Sequence, residues 1–334
     1  MLTAIASIFV FLLVILLHEL GHFTVAKLAG IKVNEFAVGM GPKIFQGKKG
    51  ETEYTLRLLP IGGYCKMEGE DENSDDPRGF NKASTVAKMA VVAAGALMNF
   101  VLAIIVLAIV SFNIGTPTTI IDETIADSPA SINGIRPGDN IIAINNIEIN
   151  SWDKISKTIN SSDPNRDMEI DIIRDNKEIT ITLRPATEDN RTFIGIVPRT
   201  ESRLMPAIKG GFDKTWEFLK LMFQFIGMAF RGKISVNDLS GPIGVITEVG
   251  KAAQMGFTEL LSLLGFISVN LGFFNLLPIP ALDGSRLVFL LVELVRGKPV
   301  DPDKEGFIHL VGFVLLISLM LFVTYRDLLR INLF

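Results

Sequence analysis

The chain has 334 residues, 49% of them hydrophobic, and a positive mean hydropathy. That is too apolar for an ordinary soluble domain and long enough for about two folded units. A formal net charge of -4 provides no polycationic face, which argues against nucleic acid as a partner, and the lone Cys65 excludes an internal disulfide.

Residues 1–30 open with an uncharged apolar run, Leu2 to Leu17, followed at once by His18-Glu19-Leu20-Gly21-His22. No Lys or Arg precedes Lys27 and no small-residue cleavage site follows, so the segment reads as a retained transmembrane helix rather than a removed signal. Residues 31–83 carry eight Lys or Arg, and alternation over Glu53 to Leu59 predicts strands, giving a membrane-associated β region. A second span is predicted within residues 84–114, centred on Met89 to Phe112 and interrupted by Asn99.

Residues 115–200 alternate turn residues with short β-rich runs, the pattern of a soluble, mainly β insertion. In residues 201–256, Trp216, Leu219, Phe223 and Ile226 fall near helical spacing, and Phe218 to Phe230 is short for a span. An interfacial amphipathic helix is expected there, with Lys220 and Arg231 suited to phospholipid head groups. Residues 257–296 hold a third span, Leu260 to Leu277, broken by Pro278 and Pro280; residues 304–328 hold a fourth, Phe307 to Tyr325. Residues 284–306 carry four Lys or Arg, so the positive-inside rule places both basic connections in the cytoplasm and both termini outside.

The chemistry is concentrated at two points. On a helix, positions i and i+4 share a face, so His18 and His22 can bind one metal with Glu19 beside it, as in zinc hydrolases. Ionisable groups within a membrane-length apolar stretch are functional candidates. The first and third spans run in the same direction, which puts the broken backbone after Asn275 at a depth similar to the histidines. Irregular backbone at that depth must line a cavity or be buried in protein. Asp283 is therefore the expected third ligand of a catalytic Zn2+, with His309 as its competitor. Glu19 would take a proton from water and pass it to the leaving amine, and Asn275 would donate to the developing oxyanion.

These segments resemble the site-2 protease family of intramembrane metalloproteases, in particular its bacterial regulator-of-sigma-E type. The resemblance rests on His18-Glu19-Leu20-Gly21-His22 and on Asn275-Leu276-Leu277-Pro278-Ile279-Pro280-Ala281-Leu282-Asp283-Gly284. Lesser matches are Phe36-Ala37-Val38-Gly39-Met40-Gly41-Pro42 and Pro60-Ile61-Gly62-Gly63-Tyr64. The resemblance implies zinc on His18, His22 and Asp283, Glu19 as base, and a β region whose glycines Gly39, Gly41, Gly62 and Gly63 lie where an unwound substrate would pair as a strand. Gly284-Ser285-Arg286 and Ala96 depart from common family residues without touching a proposed ligand.

The insertion, through Asp127-Ser128-Pro129-Ala130 and Gly134-Ile135-Arg136-Pro137-Gly138-Asp139, resembles a single PDZ domain of the circularly ordered bacterial kind. Ile194, Gly195 and Ile196 sit where its peptide-accepting loop would be. The resemblance implies a four-span α-helical endopeptidase of the bacterial inner membrane with its PDZ domain on the external side. It would cut single-span substrates after an upstream site-1 type protease has acted. The rival is a non-proteolytic scaffold with a structural zinc, which normally needs four protein ligands where only three are found. A transporter with broken helices would show paired internal repeats, and none is visible.

Overall fold

The computed structural model describes residues 1–70, 74–188, 191–233 and 240–330, apart from the side chains of Pro60, Ile61, Pro302 and Arg330. It divides into a helical unit, residues 1–110 and 208–334, and an inserted unit, residues 111–207.

The helical unit contains α1 (Leu2–Leu28), β1 (Val33–Lys49), β2 (Thr52–Met67), α2 (Thr85–Ile114), α5 (Leu204–Phe230), α6 (Pro242–Met255), α7 (Phe257–Leu276), α8 (Asp283–Arg296) and α9 (Pro302–Arg330). Among the described residues four helices are long and apolar enough to cross a membrane: α1, α2, α7 and residues 303–329 of α9. Small residues let these helices approach closely. A Cβ added at Gly21 of α1 would lie 2.3 Å from the Ala94 carbonyl oxygen of α2, and one at Gly272 of α7 would lie 2.9 Å from that of Ala96.

Two apolar clusters result. One joins Val10 and Val14 of α1 to Leu102 and Val106 of α2 and Leu260 and Leu264 of α7. The other joins Ala26 to Phe36, Cys65, Val91 and Leu290. His18 and His22 lie between the two clusters along α1.

The expected interfacial helix, Phe218 to Phe230, is the second half of a longer one, since α5 begins at Leu204. Its rings stack edge-on against α7, Phe218 on Phe266 at 5.2 Å and Phe223 on Phe273 at 5.0 Å. Gly211 is a close contact with α2: its Cβ position lies 2.5 Å from the Ile104 carbonyl oxygen.

Strands β1 and β2 fold on each other twice. Residues 33–38 lie between residues 63–67, with Phe36 opposite Cys65, and residues 53–56, with Phe36 also opposite Tyr54; residues 45–48 pair on the far side of 53–56. Gly39 bends the first strand, with φ +85° and a Cβ position 2.5 Å from the Leu59 carbonyl oxygen. Glu35 and Arg57 pair at 2.9 Å across this sheet.

The inserted unit contains β3 (Thr116–Thr124), α3 (Pro129–Ile132), β4 (Asn140–Ile144), β5 (Ile147–Glu148), α4 (Trp152–Asn160), β6 (Met168–Arg174), β7 (Lys177–Leu183), β8 (Ala186–Glu188), β9 (Arg191–Phe193) and β10 (Ile196–Glu201). The main sheet runs β10-β3-β4-β6-β7 with β5 beside β4. Asn145-Asn146 and Asp175-Asn176 take positive φ and close the two-residue hairpins β4-β5 and β6-β7, as primed turns require. Ile121, Ile141, Ile144, Ile155, Ile170 and Ile172 fill its core. Buried Asp139 pairs with Arg174 at 2.7 Å, so its charge does not lie unpaired in that interior.

Candidate metal centre

The one-turn spacing of His18 and His22 brings their rings edge to face at 4.8 Å between centroids. Their Nε2 atoms lie 3.2 Å apart. Asp283 is the first residue of α8, where a carboxylate also faces the positive end of the helix dipole. Its Oδ2 stands 3.2 Å from His18 Nε2 and 3.4 Å from His22 Nε2. Ligands about 2.0–2.1 Å from a tetrahedral zinc lie about 3.3 Å from one another, so the three separations fit one ion. Asp283 Oδ2 is a buried oxygen with no hydrogen-bond donor, as expected of an atom whose partner is a metal. Among the described residues these three form the group able to hold an ion. Cys65 is not in it, and burial pushes its thiol up to about 12, far from the thiolate a metal needs.

The segment presenting Asp283 is held from several sides. Leu277 ends α7, the Ile279 amide donates to the Leu277 carbonyl at 2.7 Å, and the Leu282 amide donates to the Ile279 carbonyl at 3.1 Å. Ala281 adopts φ +73°, a conformation costly for a residue with a Cβ, and its amide donates to His309 Nδ1 at 3.1 Å. Gly312, one turn beyond His309, lets α9 touch the break: a Cβ there would sit 2.2 Å from Pro280 Cβ. His309, the competing ligand, thus lies outside the group and braces the backbone that carries Asp283. Arg286 ties the first turn of α8 to Glu70 at 2.5 Å.

Glu19 follows His18 on α1 and meets the edge of the small sheet. A Cβ at Gly63 would lie 3.2 Å from Glu19 Cγ and 2.9 Å from the Ala37 carbonyl oxygen, so glycine leaves room for the carboxylate. Gly41 and Gly62 take φ of +85° and +82° in the same sheet. Asn275 is buried in the final turn of α7, before the break. Within the inserted unit, buried Ile194, left-handed Gly195 and half-buried Ile196 lie along a groove shared with Ile125, Trp152 and Ile155.

Sequence reasoning missed the part played by α2. Val91, Gly95 and Asn99 are one turn apart on the face turned to α1. The Val91 carbonyl accepts from His22 Nδ1 at 2.8 Å, and Asn99 meets His18 Nδ1 at 3.2 Å. Between them a Cβ at Gly95 would fall 2.3 Å from His22 Nε2 and 2.8 Å from His18 Cε1. Glycine and asparagine four apart in an apolar helix were the only available signal.

The model of peptidase family M50 matches residues 6–319. A Clostridium acetobutylicum protein, whose name proposes a zinc metalloprotease, is 40% identical over 97% of this chain and 96% of its own. The zinc metalloprotease RasP of Geobacillus kaustophilus is 32% identical over 97% of each. The regulator of sigma-W protease RasP of Bacillus subtilis is 30% identical over 98% of this chain and 99% of its own. Among solved structures, the PDZ domain of an SdrC-like protein from Listeria innocua is 21% identical, covers 26% of this chain and 99% of that one, and has a TM-score of 0.23.

Proposed function

The chain belongs to peptidase family M50 and is an intramembrane zinc metalloprotease, and from that premise we propose that it cleaves single-span membrane proteins within the bilayer. The observation that carries the reading is the meeting of His18 Nε2, His22 Nε2 and Asp283 Oδ2 beside Glu19 on a membrane-length helix. His18, His22 and Asp283 would hold the zinc. When bound, the metal supplies Lewis acidity, which makes water a nucleophile near neutral pH and polarises a peptide carbonyl. Glu19 accepts a proton as the water oxygen bonds to the scissile carbon, and returns it to the amide nitrogen as the carbon–nitrogen bond breaks. Asn275 donates a hydrogen bond to the carbonyl oxygen as negative charge builds there.

A substrate helix must unwind to reach this site, and its freed backbone groups then need partners. Residues 63–67 pair on one side with residues 33–38, and no described strand occupies their other side. A peptide added there would run past Gly63 and so past Glu19, which supports strand addition at this edge. The glycines at 39, 41, 62 and 63 shape the same sheet. In the inserted unit, which we read as a PDZ domain on the external side, the groove beside Ile194, Gly195 and Ile196 suits an extended peptide. Of two roles, capture of a freshly exposed C-terminus and shielding of the membrane entrance from bulky folded domains, we favour the second because it needs no ligand.

The protein acts in the bacterial inner membrane on anti-sigma factor type substrates, remnant signal peptides or both, after an upstream site-1 type protease has removed most of the external domain. The name of the Bacillus subtilis relative supports the first substrate class. The test is reconstitution with a model span peptide, comparing the parent with Glu19→Gln at equal zinc loading. Cleavage by the parent alone is expected; cleavage by the variant would remove Glu19 from the mechanism, and cleavage by neither would favour the scaffold. Asp283→Ala should empty the site of zinc while His309→Ala leaves it loaded.

A further inference from the structure

Asn99 is fully buried in α2, and its main-chain carbonyl accepts from Ser268 Oγ of α7 at 2.8 Å. Its side-chain amide faces His18 Nδ1 through Nδ2 at 3.2 Å, while Oδ1 is buried with no donor. The oxygen and nitrogen of such an amide occupy nearly equivalent positions, so the chemistry around them decides which is which. Here the chemistry comes from the far side of the ring. His18 Nε2 is the atom that converges on His22 Nε2 and Asp283 Oδ2, so a metal there takes its lone pair from Nε2. A neutral imidazole that gives a lone pair at Nε2 must carry its proton on Nδ1. An amide nitrogen in front of Nδ1 would then set donor against donor. His22 shows the alternative arrangement, with Nδ1 against an acceptor, the Val91 carbonyl.

We propose that Asn99 is a positioning residue of the metal centre, its amide oxygen accepting the Nδ1 proton of His18 and so keeping Nε2 free for zinc. This inference rests on the metal reading above and adds a demand to it: α2 supplies one acceptor to each histidine, Val91 O and Asn99 Oδ1, two turns apart with Gly95 between. Outer partners of this type fix the tautomer and the ring orientation of a ligating histidine. Among the interruptions of the apolar spans, Asn99 would thus be retained for an acceptor rather than for helix association.

The experiment measures zinc affinity of the full-length protein in detergent by competition with a chromophoric chelator, alongside the visible spectrum of the cobalt form. Asn99→Ala should weaken zinc binding by about 10–100-fold and alter the cobalt spectrum. Asn99→Asp offers an acceptor of the same shape and no donor when ionised, so it should hold zinc within a few-fold of the parent. Ser268→Ala, which removes only the bond to the Asn99 main chain, should match the parent. The proposal is overturned if Asn99→Ala binds as the parent does, if Ser268→Ala loses as much, or if Asn99→Asp weakens as far as Asn99→Ala. The comparison of Asn99→Asp with the parent decides the orientation even where Asn99→Ala does not fold. A parent that takes up no zinc would instead sink the metal reading itself.

Discussion

Helices α2 and α9 are equally apolar, with mean hydropathies of 2.6 over their most apolar stretches, yet 50% of that stretch is buried in α2 and only 11% in α9. The difference lies in which residues are small and where they fall. Ala94, Gly95, Ala96, Asn99 and Ala103 of α2 are all buried, and this face lets α1 and α7 close on it. Along α9, Phe307, Leu310, Phe313, Leu315 and Leu319 are exposed, as side chains facing lipid would be. Its inward contacts come near the ends, at His309 and Gly312 against the break and at Asp327, which accepts from the Gly244 amide at 2.8 Å and caps α6. Hydropathy separates membrane from water; it does not separate a helix that builds a site from one that closes the bundle against lipid.

The largest expected effect tests the crowded face. Gly95→Val should displace both imidazoles, and because a shift of about 1 Å can cost about 100-fold in rate, proteolysis should fall at least that far with zinc lost in parallel. Zinc content and peptide cleavage measured on the same sample check it; retention of both would mean that α2 does not crowd the site.

Gly312→Leu should come next, since it drives a side chain into Pro280 and overpacking costs about 1–3 kcal/mol. Thermal unfolding in detergent and cleavage rate should both drop. If neither moves, the contact between α9 and the break is idle.

His309→Ala should have a smaller effect. It removes the acceptor for the Ala281 amide, worth about 1–3 kcal/mol if that amide is left unpaired, and should slow cleavage while zinc occupancy stays at the parent's level. Loss of zinc in step with activity would return His309 to the ligand set. The smallest change is expected at Leu315→Ala, where a position facing lipid should shift stability by about 0.5 kcal/mol or less. A drop as large as that of Gly312→Leu would show that this part of α9 has a protein neighbour.

The two halves of the centre were legible to different degrees. His18, Glu19 and His22 are a local pattern: helix geometry alone puts the histidines on one face. Asp283 was legible because Pro278 and Pro280 cannot continue a helix, and a break at membrane depth needs a reason. Gly95 and Asn99 were not, since a glycine and an asparagine in an apolar helix serve equally for association. Only the register of α2 against α1 distinguishes the two uses. The length of α5 was hidden for a related reason: the apolar spacing was read only around Phe218 to Phe230, and the contact of Gly211 with α2 shows only in the tertiary structure.

By itself, then, the chain's order of residues determined four apolar spans, an inserted β unit and a histidine pair poised for metal, because hydropathy and helical periodicity are properties of neighbours along the chain. The tertiary structure alone decided which imidazole nitrogens face inward, which helix holds them and what steadies Asp283. Those depend on contacts between residues 28 to 265 positions apart, and no periodicity within a single helix encodes how deeply another will slide against it.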